Sequence, residues 1–169
     1  MEKCIIAAVA DNGAIGKDND LLWHIAEDMK YFRRTTVGHP VVMGYRTFLS
    51  IGGKPLPKRS NIVISTHPWK DVPEGVMVAG SLAEAYALAA DASGAEDDKV
   101  FVMGGGETYR RALPTADKLY ITRVRASISD ADTFFPTIDP AIWKVESASP
   151  AATDPETGYD YEFIVYRRR

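Results

Sequence analysis

Strands that alternate with helices along the chain predict an α/β fold with a mainly parallel sheet. Short, near-continuous apolar runs at Lys3–Val9, Pro40–Gly44, Asn61–Ser65 and Val100–Met103 have the pattern of strands covered on both faces. Helical patterns fall between them, and a parallel neighbour needs such a crossover. Clusters of Gly, Pro, Asp and Asn mark the joints.

Lys3–Val9 opens the chain as a buried strand, and Asp11-Asn12-Gly13 ends it with turn chemistry. A long polar loop then runs to Trp23. Ile25, Met29 and Phe32 stand at i, i+4 and i+7, so a helix from about Ile25 to Val37 would carry all three on one face. Gly38 can terminate it. Pro40–Gly44 is a short strand and Tyr45–Ile51 a short helix. Gly52-Gly53-Lys54-Pro55-Leu56-Pro57 cannot be regular structure. Asn61–Ser65 and Gly75–Ala79 are further strands. Ser81-Leu82-Ala83-Glu84 is a capping box that opens an alanine-rich helix to about Ala92.

Ser93–Lys99 is a polar loop. Val100–Met103 is a strand that runs into Gly104-Gly105-Gly106 and a helix stopped at Pro114. Lys118–Arg125 is a strand and Asp130–Pro140 reads as irregular. Trp143–Ser147 and Tyr159–Arg168 read as a closing antiparallel pair at one edge of the sheet. With no repeat, linker or low-complexity tract, residues 1–169 form a single domain.

Composition narrows the class. Apolar residues are 46% and charged residues 25% of the 169, as in an ordinary soluble domain, and a chain this long can bury a substantial core. The net charge of -3 argues against a nucleic-acid binder driven by phosphate neutralisation. Arg167-Arg168-Arg169 reads as a solvated strand end. The one cysteine, Cys4, permits no intrachain disulfide and stands in an apolar run as an inert core residue. The N-terminus is too short and interrupted for a secretory signal, and no apolar run approaches membrane-spanning length, so the cytoplasm is the simplest compartment. His24, His39 and His67 have no ligand spacing, and no metal site is indicated.

Four features could carry chemistry. Asp28, one position before Met29 and four before Phe32, lies at the edge of the helix's apolar face; it is either solvated at a rim or held in an apolar pocket, where it needs a partner from the protein or a ligand. Val102-Met103-Gly104-Gly105-Gly106-Glu107 leads a strand through three glycines into a helix, which is either a phosphate cradle or a tight turn. It is not G-x-G-x-x-G, since Tyr109 stands where the last glycine belongs, and Gly53-Lys54 is followed by Pro55, so there is no P-loop. Met43-Gly44-Tyr45-Arg46-Thr47 and Ser65-Thr66-His67 fall at two further strand ends, where open α/β sheets bind ligands. Arg59, after a proline-stiffened loop, can hold a carboxylate or simply face solvent.

Ile15-Gly16-x5-Leu22-Trp23, Asp28 with Phe32, Pro40-Val-Val-Met-Gly44, Leu56-Pro-x-Arg59-x-Asn61, the Gly104–Gly106 turn with Tyr109, Leu119-Tyr-Ile-Thr122 and Asp132-Thr-Phe-Phe-Pro136 together resemble the dihydrofolate reductases, in order and at their spacing. The resemblance covers nearly the whole chain. It implies an eight-stranded, mostly parallel sheet flanked by about four helices, and reduction of 7,8-dihydrofolate to tetrahydrofolate by NADPH, a step that serves one-carbon metabolism.

It places the pterin-binding carboxylate at Asp28, extended by Thr122, with Leu21, Trp23 and Tyr109 also near the chemistry. Ile6, Ala8, Phe32, Ile51 and Leu56 would line the folate slot, and Arg59 would take the glutamate tail. Ala8, Ile15, Gly16, Leu21, Gly44, Tyr45, Arg46, Thr47, Ser65, Thr66, His67, Met103, Gly104, Gly105, Gly106, Glu107, Thr108 and Tyr109 would border NADPH. The loop from Asp11 to Trp23 would close over the nicotinamide. The family commonly has a basic residue where Tyr45 stands, and bacterial members often have Arg at Glu107 and Pro at Leu22. Diaminopyrimidine and diaminopteridine antifolates are implied ligands, and a monomer is implied. The nearest rival is the reductase domain of riboflavin biosynthesis, which has a related fold and also uses NADPH; the Leu-Trp…Asp28 block and Arg59 favour the folate reading. An idle folate- or nucleotide-binding protein would need none of the acid and loop features present here.

Overall fold

The computed structural model describes residues 1–17, 22–92 and 98–169. At its centre is β1 (Glu2–Ala10), which pairs in parallel with β6 (Lys99–Val102) on one side and β7 (Lys118–Val124) on the other. Beyond β6 come β3 (Val41–Gly44), β4 (Asn61–Ile64) and β5 (Val76–Ala79), all parallel. Beyond β7 lies the antiparallel β11 (Asp160–Arg168), whose outer edge pairs with β9 (Trp143–Ala148) and the two-residue β10 (Ala152–Thr153). The sheet order is therefore β10-β11-β7-β1-β6-β3-β4-β5, with β9 also on β11. Eight of these strands are four residues or longer, which is the expected mostly parallel sheet with an antiparallel C-terminal edge.

The apolar runs are buried on both faces because helices cover both. In β1, Ile5, Ala7 and Val9 enter one core cluster and Cys4 and Ile6 the other, the alternation a pleat imposes. On the first face pack α3 (Leu82–Ala92), through Ala85 and Ala89, and α4 (Gly106–Ala112), through Tyr109 and Ala112. On the second pack α1 (Ala26–Thr36), through Phe32, and α2 (Tyr45–Ser50), through Phe48. Burial pushes the Cys4 thiol far above its ordinary range, so it is the inert core residue expected. Among the described residues no helix is long and apolar enough to cross a membrane.

Element boundaries fall within one or two residues of those expected, with four differences. The segments read as loop and irregular structure contain β2 (Ala14–Gly16) and β8 (Thr133–Phe134), which pair antiparallel outside the main sheet. At two and three residues they are too short for any periodicity to announce them. Met29 is 53% exposed, whereas Ile25 is 1% exposed and Thr36 fully buried. The inward face of α1 is thus marked by Ile25, Asp28, Phe32 and Thr36, and a carboxylate lies on it where hydrophobicity alone put methionine. Arg168 is not a solvated strand end. Its guanidinium lies 4.6 Å over the Trp143 ring and donates to the carbonyls of Leu113, Pro114 and Ala116 at the turn that follows α4. The Ser93–Lys99 loop falls largely outside the described residues, and Lys99 already belongs to β6.

Candidate active site

The parallel strands end on one edge, and the chain leaves four of them into loops that line a single cleft of about 990 Å³. Gly44 to Thr47 follow β3, Ser65 to Trp69 follow β4, Gly80 to Leu82 follow β5, and Met103 to Arg111 follow β6. Ala8 of β1 forms part of the floor. This is the carboxyl edge at which open α/β sheets receive ligands.

The glycine turn is fixed by backbone contact. Met103 donates its N–H to Val42 O at 2.9 Å, and Gly44 N–H donates to Gly104 O at 2.9 Å. The Gly104–Gly105 peptide is cis, and Gly104 has a φ of +130°, where side chains are disfavoured. At Gly106 a Cβ would stand 2.6 Å from the Thr133 methyl carbon, so α4 begins pressed against β8. Glu107, exposed in the first turn of α4, pairs with Arg110 at 2.6 Å and Arg111 at 2.9 Å, and their hydrogen bonds hold its carboxyl below the usual range. Tyr45 packs edge-on against Trp69, ring centroids 4.9 Å apart, and Trp69 in turn tilts against Phe48. Arg46 stays exposed. The Ser65 hydroxyl donates to His67 O at 3.0 Å.

The loop over the cleft is tied to the 128–135 segment. Phe135 N–H donates to Gly13 O at 2.8 Å, Asp132 N–H to Gly16 O at 3.1 Å, and Asn12 Nδ2 to Ile128 O at 3.0 Å. Lys17 reaches Asp130 at 2.6 Å. These contacts set Ile15 and Gly16 at the cleft wall, opposite Ala8. Trp23, 8% exposed, closes that end against Tyr159.

Beside the cleft lies the second half of the site. Asp28 is half-buried on α1, and Thr122, 2% exposed on β7, donates its hydroxyl to Asp28 Oδ1 at 2.5 Å. Among the described residues Asp28 has no ion pair. Burial raises its carboxyl above the usual carboxylate value, and the Thr122 hydrogen bond only partly opposes this. Tyr109, fully enclosed, donates its hydroxyl to Ile6 O at 2.8 Å; burial and the nearby Asp28 charge push the phenol well above its ordinary value. Ile6, Phe32, Ile51 and Leu56 belong to one apolar cluster. At its far end Arg59 donates to Thr36 Oγ1 at 3.0 Å and to Pro57 O at 2.8 Å.

The residues named from sequence therefore fall into two groups. Ala8, Ile15, Gly16, Gly44, Tyr45, Arg46, Thr47, Ser65, Thr66, His67, Met103, Gly104, Gly105, Gly106, Glu107, Thr108 and Tyr109 all line the cleft. Of the others, Asp28 pairs with Thr122, Ile6, Phe32, Ile51 and Leu56 share one apolar cluster, and Arg59 bonds to Thr36 of α1. Leu21 is outside the described residues. Sequence reasoning missed Trp69, Arg110, Arg111 and Thr133 on the cleft wall. It also missed the strand end at Gly80-Ser81, because Ser81 was read only as a helix cap. The strand expected at Gly75–Ala79 implies a fourth ligand-facing junction beside the three at Gly44, Ser65 and Gly104, and that is the available signal.

Fold and cleft place the chain among α/β proteins that bind nucleotides at the carboxyl edge of a parallel sheet. The dihydrofolate reductase family model matches residues 3–168. The chain is 43% identical over 166 residues to dihydrofolate reductase type 3 of Salmonella typhimurium, covering 98% of this chain and 97% of that protein. It is 39% identical over 165 residues to dihydrofolate reductase of Haemophilus influenzae, covering 98% of each. Its structure is similar to that of Enterococcus faecalis dihydrofolate reductase complexed with NADP(H) and RAB-propyl, with a TM-score of 0.87 at 32% identity, covering 99% of this chain and 96% of that one. The chain belongs to the dihydrofolate reductase family.

The Asp28 environment makes a stability prediction. Its carboxyl titrates near 3.8 when unfolded and above that when folded, so the native state holds the proton more tightly. The penalty is absent below the unfolded value and grows as pH rises through the folded one. Asp28→Asn should therefore melt higher than the parent at about pH 7.5, with the gap closing toward about pH 4. Thermal denaturation across that range checks it, and a variant that melts below the parent at the upper end contradicts the assignment.

Proposed function

We propose that this protein reduces 7,8-dihydrofolate to 5,6,7,8-tetrahydrofolate with NADPH, using Asp28 as the pterin-binding carboxylate. The observation that carries the residue assignment is a partly buried carboxylate with a neutral hydroxyl partner and, among the described residues, no cation. A pterin offers two adjacent donors, the 2-amino group and N3–H, and one carboxylate accepts both. Thr122 already occupies part of Oδ1, which fixes the carboxylate plane and extends the network.

On this reading the rest of the substrate lies along α1, from Asp28 to Arg59. Asp28, Phe32 and Thr36 are spaced i, i+4 and i+8, so about 12 Å of helix separates the ring end from the Arg59 end. Phe32, Ile51 and Leu56 give that interval apolar walls. Met29, exposed beside Asp28, is apolar surface that a bound aromatic would cover. Arg59 then meets the tail carboxylate with a planar fork of donors.

The cleft suits NADPH. The glycine turn lets a phosphate approach the backbone, and Arg46, Ser65 and Thr66 offer one cation and two hydroxyls for a 2′-phosphate. Tyr45, where the family commonly has a basic residue, instead gives the cleft an aromatic wall with Trp69. Arg110 and Arg111 offset the Glu107 carboxylate. NADPH supplies the hydride that reaches pterin C6. Asp28 orients and polarises the ring so that N5 can accept the accompanying proton, while Ile15, Gly16 and Trp23 exclude water from the transfer. We read the protein as a monomer, and a buried lone cysteine is compatible with the cytoplasm.

Asp28→Asn keeps the size but loses the charge and one acceptor. Its turnover of dihydrofolate, followed by NADPH absorbance, should fall roughly 10²–10⁴-fold. Activity within about threefold of the parent at neutral pH contradicts the role.

Arg46→Gln should cost NADPH about 10- to 150-fold in kcat/KM, the scale of one charge-assisted contact, and leave NADH nearly unchanged. Equal losses with the two cofactors would remove Arg46 from the 2′-phosphate site.

A further inference from the structure

Asn61 stands out because it is polar, fully buried and placed at the first residue of a central strand. Its amide is almost fully used. Oδ1 accepts from Leu56 N–H at 2.8 Å, while Nδ2 donates to Leu56 O at 2.8 Å and to Arg59 O at 3.0 Å. One side chain thus braces the 56–61 loop from inside, at both its apolar and its cationic residue.

Thr36, also fully buried, approaches Arg59 from α1. Its hydroxyl donates to Phe32 O at 2.8 Å, so its lone pair is left to accept from Arg59 Nη1 at 3.0 Å. Arg59 Nε donates to Pro57 O at 2.8 Å. The guanidinium is therefore gripped at Nε and at one Nη1 hydrogen. Its remaining three N–H groups, one on Nη1 and both on Nη2, have no acceptor among the described residues and can meet a carboxylate. Arg59 has no carboxylate partner among those residues either, and Arg33 lies close enough for its charge, together with burial, to lower the Arg59 pKa. Against a like charge and without a counter-ion, an ungripped arginine would swing into solvent. Only neutral acceptors restrain it.

We propose that Thr36 and Asn61 are positioning residues that hold the Arg59 fork toward the anionic tail of the substrate. This rests on the reading of Arg59 as the tail anchor. It assigns the buried polar pair a share of substrate affinity, exerted through the arginine.

The test compares dihydrofolate with 6-methyl-7,8-dihydropterin, which has the ring but no tail. Thr36→Val keeps the shape and removes the acceptor. It should raise KM for dihydrofolate by roughly tenfold, the worth of one hydrogen bond to a charged group, with kcat within about twofold. KM for the tailless pterin should not move. Thr36→Ser should restore the parent value. Asn61→Asp keeps the acceptor to Leu56 and loses both donors, and should show the same split even if Thr36→Val proves too unstable to assay. Equal KM changes on both substrates, or none on either, overturn the proposal. Arg59→Ala is run in parallel. If it too fails to separate the substrates, the anchor reading falls as well. If it is tail-selective while the Thr36 and Asn61 variants are not, only the positioning role is lost.

Discussion

A partly buried carboxylate that has no cation among the described residues is the constraint around which this molecule is arranged. Asp28 lies on the inward face of α1, its charge opposed by burial and answered by one hydroxyl from β7. A protein that needed only stability would place a neutral side chain there or supply an arginine. The central strands make the position possible. β1 and β7 run in parallel register, with Ala8 opposite Thr122, so a small residue beside a hydroxyl leaves room for the acid above the sheet. Tyr109 anchors to Ile6 of the same strand and closes the space from the other side.

The rest of the fold supplies two directions away from that point. Toward the C-terminal ends of β3 to β6 the joints are glycines, hydroxyls and exposed cations, and they form one continuous cleft. Along α1 the face runs through Phe32 to Thr36 and ends at Arg59. On the proposed reading the two ligands would meet over Ala8, one in the glycine- and hydroxyl-lined cleft and the other along an apolar cluster with the Asp28 carboxylate at one end and the Arg59 guanidinium at the other. Residues 12–17 are held at the cleft wall by bonds to the 128–135 segment, where the short β2–β8 pair forms.

How much of this could be read from residues depended on the range of the signal. The parallel strands, the capping box and the glycine turn are local patterns, and they appear where they were expected. The resemblance pointed to Asp28 and Thr122 together, and the two are hydrogen-bonded although 94 residues separate them. Three kinds of feature escaped. β2 and β8 are stabilised by each other rather than by propensity. Met29 is exposed rather than inward, because the inward face of α1 carries Asp28 and Thr36 where hydrophobic spacing alone puts methionine. Trp69 and the Arg168–Trp143 stack depend on tertiary neighbours that no sequence window contains.

The central claim is that Asp28 stays available to pair with a protonatable ligand edge, and the bound state of a 2,4-diaminopyrimidine reports on it directly. With trimethoprim labelled at its ring nitrogens, the ¹⁵N shift of the complex can be read at a pH where the free drug is neutral. The account predicts a protonated ring in the parent, because the ion pair with Asp28 is roughly twice as strong as a neutral hydrogen bond, and a neutral ring in Asp28→Asn. A ring that is neutral in the parent, or protonated equally in both proteins, would contradict it.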